Sequence, residues 1–119
     1  MKLRIHRNSI RLRLYRPEVE TFGALGRLEE AFEYGPGPQD RLTYGIEAAS
    51  DIAAVQVRVS GNRIQIVLPA ETAREWTNSD QVQVRAETGM MSVLVEKEFR
   101  RLHGANKDPD LYPNPLEVK

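Results

Sequence analysis

Lys2, Arg4, Arg7, Arg11, Arg13 and Arg16 crowd the first 17 residues, which carry no acid, although the 119-residue chain balances 17 Lys and Arg against 17 Asp and Glu. A local charge of +6 therefore stands against −6 in the remainder. Cations at this density can neutralise phosphates, hold the acids of a partner, or pair with the chain's own carboxylates. Other chemistry has less material. Cys is absent, which removes disulfides, thiolate nucleophiles and Cys-based zinc sites. His6 and His103 lack the spacing of a metal pair, even with Asp108 and Asp110 near the second, so no metal is expected. No Ser sits in a Gly-x-Ser-x-Gly elbow, and no phosphate-cradling glycine motif occurs; "GPGP" has no helix after it. Glu29/Glu30 and Glu96/Glu98 read as solvated charge pairs, and "DPD" followed by "YPNP" reads as turns. We expect no enzyme and no cofactor.

The elements that position the cations read as strands. Leu3 and Ile5 alternate with Lys2, Arg4 and His6, and Ile10, Leu12 and Leu14 alternate with Arg11 and Arg13. Period two marks a strand with one wet face. A turn at Asn8–Ser9 pairs Ile5 with Leu12 and Leu3 with Leu14, placing all five apolar side chains on one face. Arg4 then opposes Arg13 and His6 opposes Arg11, with Cβ atoms ~5 Å apart. Each fully charged pair costs ~0.8 kcal/mol in water.

Pro17 opens a short helix closed by glycine at 23 and 26, and "RLEEAFEYG" follows with Leu28, Phe32 and Tyr34 opposite Glu29 and Glu33. Leu42, Tyr44 and Ile46, then Val55, Val57 and Val59, read as inward residues of two further strands. Gly61–Asn62 is a hairpin turn into Ile64, Ile66 and Leu68. Pro69 opens a second helix with Ala73 and Trp76 on its inner side, Trp76 as a core anchor. Val82 and Val84, a turn at Thr88–Gly89 and "MMSVLVEKEF" complete the pattern. The fold class is α+β, mostly antiparallel. About eight strands form a curled sheet or barrel from two hairpin–helix–hairpin halves, 2–48 and 52–99, with two short helices. Residues 1–101 form one β-rich domain and 102–119 an irregular proline-containing tail, which Leu102, Leu111, Tyr112 and Leu116 would anchor. No apolar run suits a signal peptide or a membrane span, so the cytoplasm is the expected compartment.

The start "MKLRIHRNSIRLRL", the middle "PAETAREWTNSDQV" and the end "LVEKEF" with "DPDLYPNP" resemble a family of short bacterial proteins of unknown function, over nearly the whole chain. That resemblance implies a bacterial origin and no assigned activity. Residues 64–96, with Ser79-Asp80-Gln81-Val82, are similar to swapped-hairpin transition-state regulators and antitoxins. That second resemblance implies a barrel closed by two interleaved halves.

Two functional readings follow for the chain. The leading one is a non-catalytic module that binds a protein partner or itself, with Glu29, Glu33 and Glu47 balancing the arginines. Val67, Leu94, Leu111 and Tyr112 then serve as contact residues. The alternative is a DNA-binding regulator using Lys2, Arg4, Arg7, Arg11 and Arg13. A sequence pI near 6.7 and the lack of interleaved aromatics weigh against the alternative.

Overall fold

The computed structural model describes residues 1–99 and Leu116. The chain folds as strands β1 (Lys2–His6) and β2 (Ser9–Leu14), helix α1 (Arg16–Leu25), and strands β3 (Arg27–Glu33) and β4 (Arg41–Ala49). It continues with β5 (Gln56–Ser60) and β6 (Arg63–Pro69), helix α2 (Ala70–Asn78), and β7 (Gln83–Thr88) and β8 (Met91–Lys97). Eight mostly antiparallel strands thus form two four-stranded sheets, ordered β1-β2-β8-β7 and β3-β4-β6-β5. The β2–β8 and β4–β6 pairings are parallel and join residues far apart in sequence. Exchanging β1–β4 for β5–β8 converts one sheet order into the other, so each half of the chain contributes a hairpin to each sheet. The two sheets share no strand pairing, so the barrel alternative does not hold; the strands curl without closing.

Alternation decides which side chains meet. Ile10, Leu12 and Leu14 of β2, Val93 and Val95 of β8, and Ile46, Ile66 and Leu68 of the second sheet are buried together. Full burial of each such side chain contributes about 1.5–3 kcal/mol. The helices seal one end. Phe22 of α1 and Trp76 of α2 are buried with ring centroids 6.3 Å apart, and Trp76 Nε1 donates to the Val82 carbonyl at 3.1 Å. Gly23 does not end α1. It lies within the helix, where an added Cβ would come 3.4 Å from Thr77 of α2, and Gly26 at φ 72° makes the cap instead. The α-amine of Met1 pairs with Glu18 and, at 3.4 Å, with Glu30. Tyr44 donates to Glu30 at 3.2 Å.

Several inward expectations fail at the opposite end. Ile5, Phe32, Tyr34 and Val59 are 58–63% exposed. They stand beside the turns and the 34–40 loop, outside the buried core cluster, where the Phe32 and Tyr34 rings lie 6.3 Å apart. Val82 precedes β7 and is also exposed. The first hairpin is shifted by two residues from expectation: Arg4 opposes Arg11, Ile5 opposes Ile10 and Lys2 opposes Arg13. The turn is Arg7–Asn8, with Arg7 at φ 52°. A two-residue shift preserves which face each side chain takes, so the apolar residues of β2 still reach the core. The last turn likewise lies one residue on, at Gly89–Met90, between the paired Thr88 and Met91.

Candidate functional site

The outer face of the β1-β2-β8-β7 sheet is built from three cross-strand rows. Strand alternation sends Lys2, Arg4 and His6 outward on β1, and Ser9, Arg11 and Arg13 outward on β2. It does the same for Ser92, Leu94 and Glu96 on β8 and for Gln83, Arg85 and Glu87 on β7. Register then assembles Lys2–Arg13–Glu96–Gln83, Arg4–Arg11–Leu94–Arg85 and His6–Ser9–Ser92–Glu87.

The first row is internally neutralised. Glu96 Oε1 accepts from Arg13 Nε at 2.8 Å and pairs with Arg11 Nε at 3.3 Å. Glu98 pairs with Lys2 at 3.1 Å and with Arg13 at 3.5 Å. The hydrogen bond to Glu96 is the main cause that raises the already high pKa of Arg13 further. Lys2 is raised as well, foremost by Tyr15 and then by Glu98. The expected donors of negative charge were Glu29, Glu33 and Glu47, and they lie on the other sheet. There Glu29 pairs with Arg27 at 3.4 Å and with Arg63, Glu33 pairs with Arg41 at 2.9 Å, and Glu47 accepts from Gln65 at 3.2 Å. The Arg–Glu tiling foreseen for the first hairpin therefore covers the opposite sheet. On the first hairpin Glu96 and Glu98, read from sequence as solvated pairs, take the role through the parallel β2–β8 pairing.

The second row stays cationic. Arg4 and Arg85 are exposed and form no ion pair among the described residues, and Arg11 shares Glu96 with Arg13. Between Arg11 and Arg85 lies half-buried Leu94. This row and the third line a cleft of about 530 Å³ that crosses all four strands, a size within the range of ligand pockets. In the third row Ser92 Oγ donates to both oxygens of Glu87 at 2.8 and 3.0 Å, and Ser9 Oγ donates to the His6 carbonyl at 2.8 Å. Among the described residues no hydroxyl bonds to an imidazole, and none form a group of three metal ligands.

The predicted contact residues divide. Lys2, Arg4, Arg11 and Arg13 share this face, and Arg7 stands off it in the turn. Leu94 is on the face and lines the cleft. Val67, on central strand β6 between Glu47 and Gln56, is fully buried and lies outside the core cluster. Leu111 and Tyr112 lie outside the described residues, as does His103. Leu116, expected to anchor the tail, is exposed. Sequence reasoning missed Arg85. The alternation in "QVQVRAE" places it outward, but only the β7–β8 and β2–β8 pairings bring it beside the first hairpin.

No helix among the described residues is long and apolar enough to cross a membrane. No curated protein and no solved structure matches the chain, so the resemblance to swapped-hairpin regulators finds no support. The profile of one family, described as a family of unknown function, matches residues 1–116. The chain belongs to that family, DUF7009.

Proposed function

We propose that this chain is a non-catalytic binding module whose β1-β2-β8-β7 face docks an acidic surface of a protein partner. One observation carries this reading. Arg4, Arg11 and Arg85 come from three strands and meet around Leu94, and among the described residues only Arg11 of the three is ion-paired, to the Glu96 it shares with Arg13. A row of guanidinium groups on an ordered sheet, two of its three without an ion pair among the described residues, is suited to carboxylates, which they bind bidentately. The hydroxyls beside it are engaged by Glu87 and by backbone, which favours binding over nucleophilic chemistry.

The DNA-binding alternative keeps the same cations but loses strength. Glu96 and Glu98 already occupy Lys2 and Arg13, and among the described residues no aromatic side chain lines the cleft for base stacking. Retention on immobilised polyglutamate, heparin and duplex DNA separates the two. The docking reading predicts retention on polyglutamate that salt weakens and that the Arg4→Ser/Arg85→Ser pair abolishes without unfolding the chain. Retention on DNA with a log–log salt slope of about −4 or steeper, near −0.9 per phosphate, would instead establish the regulator. No retention on polyglutamate at low salt overturns the docking reading.

A further inference from the structure

Taking the cationic face as a protein-docking surface, we infer that its occupant is an extended peptide laid across the four strands, with the pattern acid–x–apolar–x–acid. The inference rests on that reading and on the order of side chains in one row, Arg4–Arg11–Leu94–Arg85. Neighbouring strands lie ~4.8 Å apart, so the row runs ~14 Å from Arg4 to Arg85, with Leu94 ~9.6 Å along it. A carboxylate bridging Arg4 and Arg11 sits ~2.4 Å along. An extended chain presents same-side residues every ~6.6 Å. The second such residue then falls at ~9 Å, over Leu94, and the third at ~16 Å, beside Arg85. The apolar position meets the apolar floor, and both acids meet guanidinium groups.

The flanking rows fix the width. Rows along a strand are two residues, or ~6.6 Å, apart. The ion-paired ridge of Arg13, Glu96 and Glu98 borders the cationic row on one side. A helix with side chains is ~10–12 Å wide and would overrun that ridge, whereas a single extended strand fits between rows. Glu87 in the adjacent row repels an acid that strays from Arg85, which sharpens the register.

Fluorescence anisotropy of labelled heptapeptides on the full chain tests this. Gly-Glu-Ser-Leu-Ser-Glu-Gly carries the pattern, Gly-Leu-Glu-Glu-Ser-Ser-Gly has the same composition, and a helical peptide spaces acid, apolar and acid four residues apart. The patterned peptide should bind about tenfold tighter than the scrambled one. Arg85→Ser and Leu94→Ser should each erase that preference, and Arg85→Lys should keep part of it. Trp76 fluorescence reports that each variant is folded. Equal binding of patterned and scrambled peptides overturns the inference and leaves the docking reading standing. Tighter binding of the helical peptide does the same. Absence of binding to every acidic peptide and to polyglutamate overturns both, as does tighter binding of single-stranded DNA of equal charge.

Discussion

Arg7 holds a left-handed backbone at φ 52° in a two-residue turn, where Gly61 and Gly89 hold φ 57° and 58° at the matching positions of their turns. An L side chain there costs roughly 1–2 kcal/mol, partly offset by the greater entropy a glycine loses. Arg7→Gly should therefore raise stability by about 0.5–1 kcal/mol in urea unfolding followed by Trp76 fluorescence. Binding of acidic ligands should be unchanged, because Arg7 does not line the cleft. Glu96 has the opposite standing. It is mostly buried and serves both Arg11 and Arg13, so Glu96→Gln should cost about 1–2 kcal/mol. The same substitution frees Arg11 and should strengthen binding of acidic peptides, a gain that a purely structural pair would not produce. At this scale the sequence announced the cations but not their partners. Glu96 lies 83 residues from Arg13, and no local pattern shows that a parallel strand will place it alongside.

Each element is set by a few residues. In β4, Gly45 faces Glu29 of β3 so closely that an added Cβ would meet the Leu28 carbonyl oxygen and stand 2.9 Å from Glu29 Cγ. Gly45→Ala should push the strands apart and cost about 1–3 kcal/mol in the same unfolding assay. At the start of α1, burial alone, the largest single effect, would push Glu18 up. The bonds from the Met1 α-amine and from the Tyr15 N–H at 2.7 Å together outweigh it and hold the carboxyl below its ordinary 4.5. With a lowered folded-state value, the unfolded chain binds the extra proton first. Glu18 therefore contributes stability above pH 4.5 that is lost as pH falls through its folded-state value. Stability measured from pH 7 down to 3 should fall less steeply in Glu18→Gln than in the parent chain. Element type was readable because alternation and the proline-led helix starts are local signals. Register was not, because a two-residue shift keeps every face and leaves no trace in the hydrophobic pattern.

Across the whole molecule, the two hairpin–helix–hairpin halves could be read in order, but not the way each sends a hairpin into both sheets. That arrangement divides the charges between the two sheets. The β3-β4-β6-β5 sheet pairs Arg27, Arg41 and Arg63 with its own glutamates. The β1-β2-β8-β7 sheet neutralises one row and leaves the next open. Exposure at the turn end also follows from the global layout, since both helices cap the opposite end. Phe32→Ser should shift stability by no more than about 0.5 kcal/mol, whereas Leu14→Ala should cost about 2–5 kcal/mol. The central claim, that Arg4, Arg11 and Arg85 form one available anion-binding row, is tested most directly by amide chemical-shift mapping during titration with polyglutamate. We predict shifts confined to Arg4, His6, Ser9, Arg11, Arg85, Ser92, Leu94 and their neighbours. Shifts centred on the β3-β4-β6-β5 sheet, or none anywhere, would contradict it.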